Sequence, residues 1–297
     1  MLKYYLYKIA QTIASALPIS VAYCIAVFLS DIKYFVSPRD RKAVHDNLFV
    51  ILNDHEKAHQ IAREVFQNFG KYLTEFFRME KFTEAFVKQN VVLENRELLE
   101  EGLKKGRGVI IMTAHIGNWE LGGLALSRFG FPLTAIALPH RERSVNELFN
   151  HQRESAGVTV VPVHSAIRRC IRTLKQNGII ALLADRDFSA TGIPMDFFNR
   201  RTMIPRGPAM FAYRTGATVL PMFLTRNPDG TFRISISEPL DLPDDPQKMD
   251  EREFNHHFAK QQVTALEKAI KRNPSQWLVF RKFWIDEECG PERITST

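Results

Sequence analysis

Cysteine is scarce in this chain of 297 residues. Cys24, Cys170 and Cys289 lie far apart, in an odd number and without a CxxC pair. That speaks against a disulfide framework and a structural zinc site, and it points to a reducing compartment. Internal repeats, low-complexity tracts and long Gly/Ser linkers are missing as well. So are three catalytic signatures: no GxSxG marks a serine-hydrolase elbow, no HExxH a zinc hydrolase, and no Walker A sequence a phosphate-binding loop. Tyrosine numbers only 7 against 22 phenylalanines, so the aromatic content is mostly apolar bulk without a polar handle, suited to a core or to contact with lipid. What remains, 45% hydrophobic and 25% charged residues, excludes a disordered chain and a polytopic membrane protein. The length suits one large domain or two small ones.

Positive charge is in excess by 7, and it is unevenly spread. Lys33, Arg39, Arg41 and Lys42 form one cluster. Arg141, Arg143, Arg153, Arg168, Arg169 and Arg172 form a second, and Arg186, Arg200, Arg201, Arg206 and Arg214 a third. The planar guanidinium fork suits phosphate, which predicts an anionic partner; solvated surface charge is the plain alternative.

Residues 9–30 carry no charge. A bilayer core needs about 20 mostly apolar residues, so this run is long enough to cross one. Gln11, Thr12, Ser15, Pro18 and Ser20 dilute it. Lys3 and Lys8 ahead of it resemble a signal-peptide start, but no A-x-A-like site follows. The larger basic cluster on the carboxyl side places the body of the protein in the cytoplasm by the positive-inside rule. An in-plane helix and an ordinary buried first helix are the other readings. The expected division is an apolar membrane-anchoring segment, 1–36, and a single domain, 37–297.

Further on, residues 56–77 repeat apolar side chains at helical spacing. From residue 108 the pattern changes. Apolar runs at 108–113, 132–138, 158–163, 179–184 and 217–224, with an alternating strand at 231–237, are interleaved with helical stretches at 118–129, 143–156, 165–176 and 207–215. A helix at 252–272 follows an acidic, proline-bearing loop, and the tail from Asn273 to Asp286 carries two tryptophans and reads as ordered. This alternation predicts an α/β fold: a central mixed, mostly parallel sheet flanked by helices, with an N-terminal membrane-associated helical segment.

The densest chemistry is in Thr113-Ala114-His115-Ile116-Gly117-Asn118-Trp119-Glu120, which follows a buried strand and opens a helix. Ligands of open α/β sheets bind beyond the carboxyl ends of the strands. Gly117 permits a sharp turn and Asn118 can cap the next helix. Across such a corner Glu120 and His115 can converge. A carboxylate on one imidazole nitrogen would leave the other as a base, the His–carboxylate half of a triad without its protein nucleophile. The hydroxyl to be activated then arrives with the substrate. Spacing alone leaves a purely structural role for both residues open.

That octapeptide, with residues 196–223 and NPSQWLVFRKFW at 273–284, resembles the bacterial lipid A late acyltransferases, the lauroyl/myristoyl transferases of the lysophospholipid acyltransferase superfamily, over nearly the whole chain. The resemblance implies acyl transfer from a thioester, on acyl carrier protein or coenzyme A as co-substrate, to a hydroxyl of a lipid A precursor or related glycolipid. The setting implied is the cytoplasmic face of the inner membrane, with no metal, no further cofactor and no nucleic-acid partner. His115 is implied as general base, Glu120 as its partner, and Arg153 as a support for the thioester oxyanion or an acceptor phosphate. Asp185 and Asp187, flanking Arg186, match the family's Asp-Gln-Asp-like stretch, and their turn is a candidate for substrate or oxyanion contacts. Gly207 opens its GPA motif, with Arg206 directly before it and Thr202 loosely matching an upstream threonine. Backbone amides near Gly117, with Asn118, are further candidates for oxyanion contacts. Phenylalanine-rich helices, Phe197 and Phe198 included, would line an acyl slot or fill the core. The competing readings are another acceptor (a lysophospholipid or an amino-acid lipid), a hydrolase in which the His–Glu pair activates water, and a non-enzymatic peripheral lipid-binding protein.

Overall fold

A computed structural model describes residues 2–188 and 191–284; Cys289 and the last residues of the expected ordered tail lie outside them. The chain begins with four helices, α1 (Leu2–Ala16), α2 (Ile19–Val36), α3 (Pro38–Leu52) and α4 (His55–Phe77). The uncharged run at 9–30 is divided between α1 and α2. Pro18, which has no amide hydrogen to extend α1, stands immediately before α2. Pro38 opens α3, the position at which its fixed φ suits a helix start. Asp54 caps α4 by accepting from the Lys57 amide at 3.0 Å. α2 lies along α4, and the two backbones come so close at Gly70 that a β-carbon there would stand 2.9 Å from the Ala26 carbonyl oxygen.

After α5 (Glu84–Asn90) come β1 (Val91–Glu94), α6 (Arg96–Lys104), β2 (Val109–Thr113), α7 (Trp119–Arg128), β3 (Leu133–Ala137), α8 (Arg143–Ser155), β4 (Thr159–Pro162), α9 (Ala166–Lys175) and β5 (Ile179–Leu183). The chain continues through β6 (Ile193–Phe197), β7 (Arg200–Ile204), α10 (Gly207–Thr215), β8 (Thr218–Arg226), β9 (Phe232–Ile236) and α11 (Glu251–Arg272). The expected α/β architecture is present. Seven strands lie in the order β1-β9-β8-β2-β5-β3-β4, with only β8–β9 antiparallel. β2 is buried at all of its residues, which is why its sequence is continuously apolar rather than alternating. Ile111, Leu220 and Met222 share one core with α7 and α8; Ile110, Met112 and Val219 share another with α9, α10 and α11.

Two features had no clear sequence signal. β1 is a short strand at the edge of the sheet. The β6–β7 hairpin contains Pro194, Asp196, Arg200 and Arg201, and it turns on Phe198 (φ 52°) and Asn199 (φ 58°) where such two-residue turns usually carry glycine. The hydrogen bond that the Phe198 N–H donates to Glu267 Oε1 and its aromatic packing hold it in place. Phe197 and Phe198 are buried among Trp277, Phe283 and Trp284, so they fill the core. A Phe buried in this way contributes about 1.5–3 kcal/mol of apolar stabilisation.

Candidate active site

β2 and β5 are parallel neighbours in a register that sets Thr113 beside Leu183. Two residues beyond each strand end, the same register brings His115 to Asp185. The ring Nδ1 lies 2.8 Å from Asp185 Oδ1, and the His115 backbone N–H donates to Oδ2 at 3.1 Å. The Trp277 indole donates a third bond to Oδ2, also at 3.1 Å. Asp185 is fully buried, whereas His115 keeps 15% of its side chain exposed. Burial alone would raise the Asp185 carboxyl, but the charge and hydrogen bonds of His115 and the bond from Trp277 outweigh it, so the group is held below the usual carboxylate range. The imidazole also meets Trp119 edge-on at 5.0 Å, and Trp119 is stacked on Tyr72.

The expected His115–Glu120 couple is therefore corrected. Glu120 faces Arg153 instead: Arg153 Nε lies 3.0 Å from Oε2, and its Nη2 lies 2.6 Å from Oε1. The two side chains are 11% and 13% exposed, a bidentate pair in the cleft wall, and Arg153 also reaches Asn150 Oδ1 at 3.3 Å. Glu120 lies in the first turn of α7 and Arg153 in the last turn of α8, so the pair ties two helices together. The spacing of His115 and Glu120 suggested a dyad because a strand–turn–helix corner can bring such residues together. The carboxylate that wins lies 70 residues away, on the neighbouring strand.

The turn after His115 is also less available than expected. Gly117 has φ +59°, and a β-carbon there would stand 1.9 Å from the Leu224 carbonyl oxygen, so only glycine fits. Its N–H donates to Gln276 O at 2.8 Å, and the Asn118 N–H donates to Leu224 O at 3.2 Å. The Asn118 side chain caps α7 through the Leu121 amide at 2.9 Å and donates to Glu75 Oε2 at 2.6 Å. Gly117 and Asn118 thus lack a backbone amide to offer an oxyanion; they hold the turn in shape. The C-terminal segment completes the clamp, with Leu278 N–H donating to His115 O at 2.7 Å.

These residues open onto a cavity of about 810 Å³ that includes His115, Trp119, Glu120, Arg153, Arg186, Asp187, Arg206 and Gly207 among its lining. Its interior is apolar, with Ile111, Leu133, Ala135, Val158, Met222 and Leu224. Among the described residues, neither serine nor cysteine lines it. Cys170 is buried in the other core, its thiol pushed up to about 11 by burial. Asp187 Oδ2 accepts from the Gly192 amide at 2.8 Å, which shapes the loop after β5. Arg186 lies over the Phe188 ring at 4.8 Å, and Arg206 pairs with Glu251 at the first residue of α11. Thr202 is buried, 3.4 Å from the Phe283 carbonyl oxygen, outside the cavity lining. His140, which also lines the cavity, is held below the ordinary histidine range by burial and the nearby Arg153 charge.

Sequence reasoning missed a buried hub on α4. Glu75, wholly buried, accepts from Tyr23 Oη at 2.7 Å, Arg226 Nε at 2.8 Å and Asn118 Nδ2 at 2.6 Å. It thereby joins α2, β8 and the turn after His115. The available signal was an acidic residue within an otherwise aromatic stripe, Tyr72 to Phe77.

α1 and α2 each present exposed apolar side chains. Phe28 and Phe35 are each 64% exposed, with Leu29 and Ile32 also exposed on α2 and Leu6 and Ile9 on α1. α2 is long and apolar enough to cross a membrane, with mean hydropathy 1.7. Its other side is pinned to the body: Asp31 accepts from Arg63 Nε at 2.7 Å and Gln67 Nε2 at 2.8 Å. The basic cluster that follows is partly neutralised, with Lys33 paired to Asp40 and Lys42 to Asp46.

The match to known families is as broad as the sequence resemblance. A family model described as "Bacterial lipid A biosynthesis acyltransferase" matches residues 1–285. The chain is 32% identical over 162 residues to a phosphatidylinositol mannoside acyltransferase of Mycobacterium tuberculosis (strain CDC 1551 / Oshkosh), covering 52% of this chain and 51% of that protein. It is 29% identical over 237 residues to the protein of the same name from Mycolicibacterium smegmatis, covering 78% and 75%. It is 27% identical over 154 residues to a lipid A biosynthesis acyltransferase of Haemophilus influenzae, covering 51% and 48%. The aligned stretch spans about half the length of the first of these relatives.

Proposed function

The chain belongs to the bacterial lipid A biosynthesis acyltransferase family, and on that premise we propose that it moves an acyl group from a thioester to a hydroxyl of a membrane glycolipid. The observation that carries this reading is the His115–Asp185 couple at an apolar cavity whose described lining holds neither serine nor cysteine. Nδ1 faces Asp185, so Nε2 is the nitrogen left to take a proton. The acceptor hydroxyl loses that proton to Nε2 as its oxygen attacks the thioester carbon. The C–S bond breaks as the tetrahedral intermediate collapses, and the departing thiolate takes the proton from the imidazolium. Asp185 steadies the charged ring between these steps. Arg186 is the guanidinium on the cavity wall that meets the oxyanion, and its hydrogen bonds replace those that the turn amides cannot supply.

The acyl chain lies among the apolar residues of the cavity, where each buried CH₂ contributes about 0.8 kcal/mol. A sugar-bearing acceptor is favoured because two differently named groups of relatives, the phosphatidylinositol mannoside and the lipid A enzymes, have glycolipid names. The donor is acyl carrier protein or coenzyme A. The protein sits on the cytoplasmic face of the inner membrane, with the apolar exterior of α1 and α2 in the leaflet and its basic clusters towards anionic headgroups.

The test is acyl transfer by purified full-length protein, with acyl-CoA or acyl carrier protein as donor and phosphatidylinositol mannoside or lipid A precursor as acceptor. Transfer that is lost in His115→Ala supports the proposal. Transfer that survives this change, or thioester hydrolysis unaffected by acceptor, overturns it.

A further inference from the structure

A second cavity, of about 870 Å³, adjoins the first. The two share Thr191, Arg206 and Glu251 in their linings, so they meet at the Arg206–Glu251 pair. One wall is the β6–β7 hairpin and the other is the start of α11. Among the described residues, two buried polar atoms in the lining of the second cavity have no hydrogen-bond partner: Asn255 Oδ1, an acceptor, and Arg206 Nε, a donor. Asn255 is 93% buried. A polar atom left unpaired inside a protein costs free energy unless a ligand or water meets it.

On α11, Arg252, His256 and Lys260 recur at i, i+4 and i+8, which places them on one face of the helix, and all three line this cavity. Their side chains make no ion pair or hydrogen bond with a described residue. The second cavity thus offers an unpaired N–H donor, an unpaired acceptor and the cations Arg252 and Lys260, with the carboxylates of Asp196, Asp250 and Glu251 also in its lining.

We propose that this second cavity holds the phosphopantetheine arm of the thioester donor, with Asn255 and Arg206 on an amide of the arm and Arg252 and Lys260 on its phosphate. The proposal rests on the thioester-donor reading above. A secondary amide carries one donor and one acceptor, which match the two unpaired atoms. A phosphate at the far end of the arm matches the guanidinium of Arg252 and the ammonium of Lys260. The lipid acceptor is the poorer fit for this cavity. α1 and α2, which carry the exposed apolar face, pack on α3, α4 and α8, whereas the second cavity is walled by β6, β7 and α11. A water-soluble donor enters from that side.

The experiment uses full-length protein in detergent and measures the binding of 4′-phosphopantetheine and of pantetheine by calorimetry, for wild type and for Arg252→Ala/Lys260→Ala. Both positions are exposed, so the double variant folds as the wild type does. The expected result is phosphopantetheine bound roughly 10-fold more tightly than pantetheine by wild type, and equally by the variant. KM for the thioester donor then rises roughly 10-fold in the variant, with kcat and the acceptor KM unmoved. A rise for acyl-CoA and acyl carrier protein alike identifies the phosphate that both donors share. A rise for acyl-CoA alone identifies its nucleotide phosphates, and the phosphopantetheine assignment falls. The same assignment falls if the variant moves only the acceptor KM, or leaves every KM unchanged while wild type uses thioesters. If wild type uses neither thioester, the donor reading fails and takes this one with it.

Discussion

Asp185 grips His115 twice, at the ring and at the backbone, from the neighbouring strand of the sheet. An imidazole held at both points has one orientation and one tautomer, which is what a general base needs before its substrate arrives. The expected consequence is a ranking of three variants. His115→Ala lowers acyl transfer by roughly 10²–10⁴-fold. Asp185→Asn lowers it by at least about 10²-fold, because it favours the wrong tautomer while preserving size. Glu120→Gln leaves Nδ1 paired to Asp185 and has the smallest effect on kcat. Steady-state kinetics of the three proteins checks the ranking, and a Glu120→Gln enzyme as slow as Asp185→Asn would place Glu120 back beside the base.

The same couple makes stability depend on pH in a definite direction. The Asp185 carboxyl is held below its unfolded value, so its contribution is complete above the unfolded pKa of about 4 and is lost as pH falls through the lower folded value. The urea midpoint of the wild type is expected to drop between about pH 5 and about pH 2 more steeply than that of Asp185→Asn, which has no carboxyl to protonate there. Parallel curves for the two proteins would show that the carboxyl is not depressed.

Arg153 and Glu120 form a nearly buried pair, so removing one partner strands the other. Arg153→Met is expected to cost about 3–5 kcal/mol by leaving a buried carboxylate unpaired, and Arg153→Met/Glu120→Met recovers much of that loss. Chemical denaturation of the single and double variants measures the coupling. Additive losses would mean that each residue acts through other contacts.

Phe28 and Phe35 are the most exposed aromatic side chains of α2, and the Phe35 ring lies 5.9 Å from the Arg63 guanidinium that pairs with Asp31 at the rim of the exposed face. Phe28→Asp/Phe35→Asp is expected to release the protein from vesicles containing anionic lipid, at unchanged folded stability, since neither ring packs in the core. Co-sedimentation with vesicles measures the release. Retention of the variant on vesicles would move the membrane contact elsewhere on the surface.

The architecture could be read from the sequence where burial leaves a pattern. β2 and β8 are continuously apolar because both of their faces are covered, and α4 shows an aromatic stripe because it packs on the body. His115 was legible because a histidine at the end of a buried strand occupies a reactive place. Its partner was not, because linear spacing does not say which strands are neighbours: the β2–β5 register, which brings residue 185 to residue 115, exists only after the chain has folded. The β6–β7 hairpin was hidden for a related reason. Its polar faces and glycine-free turn are stabilised by contacts from α11 and the C-terminal aromatics rather than by local preference.

Gly117 permits a separation of two costs that usually arrive together. An alanine there must adopt a positive φ and also drive a β-carbon against the Leu224 carbonyl. At Gly106 φ is +73°, but a β-carbon would meet nothing within 4 Å. Gly106→Ala therefore isolates the backbone term, expected at about 1–2 kcal/mol. Gly117→Ala carries that term plus displacement of β8 from the turn, which puts the expected loss above about 3 kcal/mol. Because the Gly117 and Asn118 amides bond to Gln276 and Leu224, the displacement is transmitted to His115, and kcat falls along with stability. Denaturation midpoints and kcat for both variants provide the comparison. Equal losses at the two positions would show that the turn relaxes freely, and that the clamp formed by β8 and the C-terminal segment does not set the position of the base.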